Sequence, residues 1–169
     1  MHHRVERIII VLFIIFFGAA CRQTLKEKII DGFSRYCFND TGNCQLCLNA
    51  FVSFEWDKMY VFGSNADAGF ISRTVGFDYH GRMIPGSSRR IMFTWGRHEV
   101  YEEDYERLSY LASVIDFKSI DDSTLKMRSY SFTPEDAVFI VKREKILGSC
   151  KSCFLYELIN AGKTAQDSF

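Results

Sequence analysis

Two Cys-x-x-Cys motifs, Cys44-x-x-Cys47 and Cys150-x-x-Cys153, have residue types and a spacing that could do chemistry. Two such pairs can bind zinc in a tetrahedral site, because each pair supplies two thiolates from one tight turn. A single pair can instead catalyse thiol–disulfide exchange, where a following helix lowers the pKa of the first thiol. The third interpretation is a set of structural disulfides.

The spacing and surroundings of the two motifs favour structural disulfides. A gap of 102 residues separates Cys47 from Cys150, far more than separates the ligand pairs of zinc ribbons. Neither motif precedes a helical pattern, as a redox site would require. We therefore predict no metal, and disulfides that join the segment after the first helix to the last strand. The candidate cysteines are Cys37, Cys44, Cys47, Cys150 and Cys153.

An acidic run at residues 99–104 is the second cluster whose side chains could do chemistry. Paired carboxylates can act as general acid and base when an apolar setting raises the pKa of one of them. No nucleophile stands at a known spacing from this run, so a solvated strand edge is the simpler interpretation. Acidic clusters also attract basic partners. We therefore name Glu102, Glu103 and Asp104 as candidate contacts to a protein partner.

The remaining polar residues indicate neither a catalytic site nor a cofactor. His80 and His98 lack a second ligand at a recognised spacing, and Arg89 and Arg90 read as an ordinary solvated pair at the start of a strand. The chain has no phosphate-binding loop and no dinucleotide-binding glycine pattern. We predict no catalytic residue and no cofactor.

The N-terminus has the layout of an export signal. Arg4 and Arg7 precede a run of apolar and small residues, 8–20, which would form about 20 Å of helix and is short for a membrane span. Small residues directly before Cys21 resemble the lipobox of bacterial lipoproteins, in which the cysteine becomes the acylated N-terminus, for example with palmitate. The alternatives are a plain cleaved secretory protein and an uncleaved anchor.

These features predict a signal peptide over residues 1–20 and a single domain over residues 21–169, tethered through Cys21. The protein would be exported and held to a membrane by lipid, facing the periplasm or the cell exterior. The domain has 19 basic and 20 acidic residues, a balance that gives no reason to expect nucleic acid as a partner.

Hydrophobic periodicity predicts an α+β domain, with an N-terminal helix packed on one face of an antiparallel sheet and one or two further short helices. An amphipathic helix is predicted over residues 22–36 with Leu25, Ile29, Phe33 and Tyr36 on one face, and the strongest strand over 52–62. A short helix is predicted over 67–75, N-capped near Ser64 or Asn65. Residues 105–117 have apolar side chains at helical spacing. Further strands are predicted over 89–95, 98–105, 125–132, 137–142 and 153–159.

The segment Phe54-Glu55-Trp56-Asp57-Lys58-Met59-Tyr60-Val61-Phe62-Gly63 resembles a strand of small, uncharacterised bacterial lipoproteins and secreted proteins. Residues 90–103 and 133–139 resemble later hairpins of that group, and the resemblance implies no activity. The alternation of apolar residues slips at Lys58, which predicts a β-bulge at residues 56–58 in which Asp57 could cap or bond a neighbouring turn. Trp56 is then either a core anchor or a ring in a binding groove.

Together these observations predict a non-enzymatic lipoprotein of the bacterial cell envelope that binds another protein, as an inhibitor or an immunity-type partner. An aromatic-rich domain with acidic edges has the groups that interfaces use. The alternatives are a thiol–disulfide oxidoreductase or other periplasmic enzyme, and a passive structural protein of the envelope.

Overall fold

The computed structural model describes residues 23–37, 44–106, 113–118, 129–146 and 153–161. Helix α1 spans Leu25–Tyr36 and helix α2 spans Ala68–Val75, with a 3-10 turn at Leu48–Ala50. The strands are β1 Gln45–Cys47, β2 Lys58–Phe62, β3 Ser88–Trp95, β4 His98–Glu106, β5 Val114–Lys118, β6 Ser129–Phe132, β7 Val138–Lys145 and β8 Phe154–Asn160. This content confirms the predicted α+β class.

The strands form two sheets, where the sequence analysis expected one. Sheet I has the order β4-β3-β2-β6 and is antiparallel throughout. Sheet II has the order β1-β7-β8-β5, and only its β5–β8 pair is parallel. Alternation along a strand identifies its buried face but not its neighbour, so the sequence pattern could not separate the two sheets.

Helix α1 begins at Leu25 because Thr24 and Glu27 form a capping box. The Thr24 hydroxyl accepts a hydrogen bond from the Glu27 backbone N–H at 3.2 Å, and the Glu27 carboxylate accepts one from the Thr24 N–H at 2.9 Å. The predicted start at residue 22 is therefore too early. Tyr36 is 80% exposed, so it does not belong to the buried face as predicted. That face consists of Leu25, Ile29 and Phe33.

The main core lies between α1 and the facing sides of the two sheets. Its members include Ile29 and Phe33 of α1, Met59, Val61, Ile91 and Phe93 of sheet I, and Phe117, Phe139, Tyr156 and Leu158 of sheet II. The opposite face of sheet I packs against α2 and the chain that follows it. This smaller core contains Tyr60, Phe62, Ala66, Ile71, Tyr79, Ile84 and Met92.

Strand β3 lies between the two cores, and its side chains are buried from Ser88 to Thr94. The prediction that Arg89 and Arg90 form a solvated pair is therefore wrong, since both side chains are buried. Successive residues of a strand point to opposite faces, so each arginine enters a different core.

Three other predicted elements need correction. The predicted strand over 52–62 exists only from Lys58 onward, because the chain first makes the 3-10 turn and an irregular segment. Helix α2 is capped by Asp67, whose carboxylate accepts from the Phe70 N–H at 2.6 Å, and not by Ser64 or Asn65. In the segment with helical spacing, 105–117, the first two residues end strand β4 and the last four belong to strand β5, so these parts are not helical; residues 107–112 lie outside the described ranges.

The remaining strand predictions are confirmed with shifted ends. The predicted strand over 89–95 is β3, and the one over 98–105 is β4. The last two predicted strands correspond to β7 and β8. The strand predicted over 125–132 is β6 from Ser129 onward, and its first four residues lie outside the described part of the chain.

Gly32 allows the segment after the 3-10 turn to pack on α1. A glycine inside a helix costs about 1 kcal/mol relative to alanine. The ring of Phe51 lies over the Gly32 Cα so closely that a Cβ atom there would overlap it. A groove opens beside this contact, between α1 and the 3-10 turn.

Candidate functional site

The acidic run forms part of β4, which is an outer strand of sheet I with no further strand beside it in the described ranges. This position agrees with the predicted strand edge. Each of the three candidate carboxylates nevertheless has a partner inside the chain. Glu102 accepts a hydrogen bond from Tyr79, Glu103 from Tyr101, and Asp104 from Arg90.

The bonds of Asp104 and Glu102 belong to a buried network around Arg90, whose side chain is 1% exposed. Arg90 donates to both carboxylate oxygens of Asp104, from Nε at 2.6 Å and from Nη2 at 2.8 Å. This fork is favoured by register, because Arg90 lies directly opposite Asp104. The bonds to Asp104, more than any other factor, raise the pKa of Arg90 and keep it charged.

Tyr79 and the backbone of Arg82 complete the network. Arg90 Nη1 bonds to the Tyr79 hydroxyl and donates to the Arg82 carbonyl at 3.0 Å. Tyr79 in turn donates to Glu102 at 2.6 Å, and burial together with this bond raises the pKa of Tyr79. The hydroxyl also lies so close to Gly81 that a Cβ atom there would overlap it. The loop before β3 therefore closes directly over the arginine.

A β-bulge adds Glu99 to this side of the sheet. Phe93 lies opposite Tyr101 while the next residue, Thr94, lies opposite Glu99, so Val100 is the extra residue. The bulge brings Glu99 to the face of Glu102, although the numbering alone would place them on opposite faces. Burial and the charge of Glu102 raise the pKa of Glu99.

On the other face of β4, Glu103 and Tyr101 hold the start of α1. The Glu103 carboxylate accepts from the Leu25 N–H at 3.0 Å and from the Tyr101 hydroxyl at 2.6 Å. A carboxylate at this position satisfies a backbone donor of the first helical turn and complements the helix dipole. Burial and the bond to Glu103 raise the pKa of Tyr101 to about 12.

Trp56 and Asp57 have different roles, and both belong to the frame of sheet I. Trp56 is 6% exposed and packs edge-to-face on Phe93 with 5.1 Å between ring centroids, so its ring lies in the core. Asp57 accepts from the Thr94 hydroxyl at 2.9 Å and from the Gly96 N–H at 2.6 Å. The prediction that Asp57 bonds a neighbouring turn is therefore confirmed; the turn joins β3 to β4. The predicted bulge at residues 56–58 is wrong, because β2 begins only at Lys58 and pairs regularly with β3 from there.

Two exposed apolar side chains near the turn that Asp57 holds were not among the predicted site residues. Trp95 is 51% exposed at the end of β3, and Val100 is 41% exposed at the bulge of β4. In the sequence both look like ordinary strand residues, because alternation cannot show that the pairing of β3 with β2 ends at Thr94 or that β4 has a bulge. We call Trp95 and Val100 the hairpin patch.

The cysteines do not form the predicted link to the last strand. Cys37, which follows α1, is disulfide-bonded to Cys44 with a Cα–Cα distance of 5.6 Å, and Cys47 is a free, exposed thiol. Cys153 is also disulfide-bonded, and its partner lies outside the described residues, as do Cys150 and Cys21.

Sheet topology explains why that link is absent. Cys47 lies opposite Val138 at one end of β7, whereas Cys153 lies beside Ile146 past the other end. Eight residues of strand separate these points by about 26 Å. Cys44 and Cys47 also lie on a strand and its approach, not at the start of an α-helix, so the first Cys-x-x-Cys motif lacks the setting of a redox pair.

The described ranges contain neither a metal-binding cluster nor a membrane-spanning helix. No group of three or more His, Cys, Asp or Glu side chains in these ranges could hold a metal ion. His80 and His98 are both exposed there. Neither helix of the described part of the chain is long and apolar enough to cross a membrane.

The groove beside α1 has a volume of about 340 Å³ and opens to solvent. Its walls include Gln23, Lys28, Arg35 and Tyr36 on the helix side and Phe51 on the other. Arg35 forms an ion pair with Asp31 at 2.8 Å, in which the side chains are 69% and 45% exposed. Polar and aromatic groups therefore share one open wall.

The described residues thus define an α+β domain of two sheets, with a buried arginine network, an exposed hairpin patch and an open groove beside its first helix. Comparisons with protein-family models, with curated proteins and with solved structures find no match. The resemblance to small bacterial lipoproteins remains a prediction.

Proposed function

We propose that this protein is an exported lipoprotein, acylated at Cys21, whose domain binds another protein at the cell envelope as an inhibitor or immunity-type partner. The basic and apolar N-terminus and the small residues before Cys21 support the export and the anchor. Binding without catalysis is supported by the carboxylates of β4, which serve as partners for groups of the chain itself.

The hairpin patch is the observation that carries the binding proposal. Tryptophan is enriched among the residues that dominate binding energy at protein interfaces. Trp95 projects from a turn whose backbone is fixed by Asp57, so little conformational entropy is lost when a partner covers it. Glu102 remains 35% exposed and adds negative charge on the same strand as Val100, which favours a partner with basic groups.

An oxidoreductase is the less supported alternative. Cys44 is bonded to Cys37 and not to Cys47, and Cys47 stands on an edge strand of sheet II. An insulin-reduction assay on the purified full chain separates the two functions. We expect no turnover above background, and turnover that disappears in a Cys47→Ser or Cys150→Ser variant would contradict a purely binding role.

Capture from the source organism tests the binding proposal. The full chain carries an affinity tag at its C-terminus, and complexes are cross-linked in intact cells before purification. We expect one partner in near-stoichiometric amount with the wild-type chain. The Trp95→Ser, Val100→Ser double variant should recover at least tenfold less of this partner. Losing one interface anchor costs about 2 kcal/mol of binding free energy, and about 1.4 kcal/mol corresponds to a tenfold change in affinity.

Met83→Ser is the matched control for the hairpin variant. Met83 is 59% exposed and lies in the loop before β3, so its replacement removes a comparable exposed apolar side chain elsewhere. Circular dichroism verifies that all three chains are folded. Equal capture by the wild type and the hairpin variant, or the absence of any partner, would contradict the proposal and favour a passive structural role.

A further inference from the structure

The groove between α1 and the 3-10 turn is close to Cys21 along the chain. Gln23 lines the groove, and only Arg22 separates it from Cys21. Two residues of fully extended chain span about 7 Å at most. If Cys21 is acylated, as the proposed function requires, the end of the groove at Gln23 lies within that distance of the lipid anchor, and Lys28 follows five residues later.

The groove wall has the chemistry that membrane headgroups bind. Lys28 and Arg35 are seven residues apart, which is about two helical turns, so both lie on the same side of α1. Tyr36 adjoins them with its ring 80% exposed, and Phe51 forms the opposite wall. Cationic side chains bind phosphates, and aromatic rings with a polar tip favour the level of the headgroups.

The existing partner of Arg35 does not block such binding. The ion pair with Asp31 is exposed on both sides, and exposed pairs contribute little to stability. The guanidinium can therefore turn from a carboxylate to a phosphate at little cost. The near-zero net charge of the chain conceals this local site, because charge balance over the whole sequence does not report where the cations lie.

We infer that this groove receives headgroups of anionic phospholipids from the membrane that holds Cys21. Their phosphates bind Lys28 and Arg35, and the ring of Tyr36 enters the headgroup layer. Because α1 packs on one side of sheet I and α2 on the other, this contact directs α2 and Met83 away from the membrane.

Lysine footprinting on the purified, lipidated full chain tests the inference. Amines are acetylated in detergent micelles, in phosphatidylcholine vesicles and in vesicles that also contain phosphatidylglycerol, and modification is read by mass spectrometry. We expect modification of Lys28 to fall about fivefold in the anionic vesicles relative to micelles. Lys58 is exposed and lies on the face of sheet I that packs against α2, as Tyr60 and Phe62 do. Its modification should change little between the membranes, so it serves as the internal control.

Two variants show whether the groove itself makes the contact. The groove variant carries Arg35→Gln and Tyr36→Ser, and Lys28, which it keeps, is the reporter. The control variant carries Arg73→Gln and Met83→Ser, which removes one charge and one exposed apolar group from the α2 side. Protection of Lys28 in anionic vesicles should be largely lost in the groove variant and kept in the control.

The intact mass of the purified protein separates this inference from the proposed function. A protein without lipid on Cys21 overturns the proposed anchor and the headgroup site with it. A lipidated protein in which Lys28 and Lys58 respond equally to the vesicles overturns the headgroup site alone and leaves the anchor standing.

Discussion

Arg89 and Arg90 are neighbours on β3 and both are buried, but their carboxylate partners lie on different elements. Arg89 points into the main core, where its Nη1 donates to the Phe117 carbonyl at 2.8 Å and meets the Asp116 carboxylate at the same distance. Its partners belong to β5 of the other sheet. Arg90 points to the smaller core, and its carboxylate partners lie on the adjacent strand β4.

The difference between the two sites lies in their access to water. Asp116 is 5% exposed, so both ions of its pair have lost most of their hydration. Asp104 and Glu102 are 18% and 35% exposed, so the network around Arg90 is buried at the cation and hydrated at the anions. An ion pair between neighbouring strands at a sheet edge thus keeps its carboxylate in contact with water. An ion pair between the facing sides of two sheets buries both of its ions.

Replacing Arg89 should have the largest effect on stability. We expect Arg89→Met to lower the free energy of unfolding by about 3–5 kcal/mol, because it removes the cation that compensates a buried carboxylate. Denaturation in urea, followed by circular dichroism, measures the loss. The double variant Arg89→Met, Asp116→Leu should recover much of it, since a packed apolar pair replaces the ions. A double variant as unstable as the sum of the single variants would refute this account.

Replacing Arg90 should have a smaller effect. We expect Arg90→Met to cost about 2–3 kcal/mol in the same assay, because Asp104 and Glu102 can hydrate when the guanidinium is gone. Asp31→Asn, which removes the charge of an exposed ion pair on α1 with little change in helix propensity, should cost about 0.3–0.5 kcal/mol and sets the scale for a solvated pair. If Arg90→Met lowers the free energy of unfolding more than Arg89→Met does, the exposure of the carboxylate partners does not explain the difference in stability between the two variants.

Two tyrosines extend the comparison to alkaline pH. Tyr79 donates to Glu102 on one face of β4, and Tyr101 donates to Glu103 on the other face. The pKa of Tyr101 in the folded protein is raised to about 12 from its ordinary value of 10.0. Because the pKa of Tyr101 is higher in the folded than in the unfolded protein, protonated Tyr101 contributes to the free energy of unfolding. This contribution is fully present below pH 10 and is lost as the pH rises through about 12.

Wild type should therefore lose about 2 kcal/mol more stability than Tyr101→Phe between pH 9 and pH 12. Urea denaturation at several pH values measures this difference in slope. Tyr79 and Tyr105 have raised pKa values too and are present in both chains, so their contributions cancel. Parallel stability curves for the two chains would show that the pKa of Tyr101 is not raised on folding.

The elements that local sequence signals specify were predicted well. Helix α1 was predicted from its apolar spacing, although its start was placed too early because the Thr24–Glu27 box was not used, and β3 and β4 were predicted from alternation on either side of the Gly96-Arg97 turn. These spacing and alternation signals lie within the elements that they specify. The slip in alternation at Lys58 predicted that Asp57 bonds a turn, but it did not indicate which one, and the turn lies 39 residues further along the chain.

What the sequence could not show depends on contacts between distant segments. The burial of Arg89 requires β5 to lie against β3, and nothing near residue 89 indicates that. Glu99 lies on the same face of β4 as Glu102 only because Val100 forms a bulge. The bulge moves the residues of β4 before it to the face opposite the one that their numbering indicates. The exposure of Trp95 likewise depends on where sheet I ends in space.

The two sheets are interleaved along the chain, which bears on how the protein folds. The chain enters sheet II at β1, passes to sheet I for β2–β4, returns for β5, leaves again for β6 and ends in β7 and β8. Strand β8 is an inner strand of sheet II and is the last of the described strands. Sheet II therefore cannot assemble until nearly the whole chain is available. Such long-range pairing slows folding, so a nascent chain of this topology remains open to transport or to chaperones until its C-terminal strand arrives.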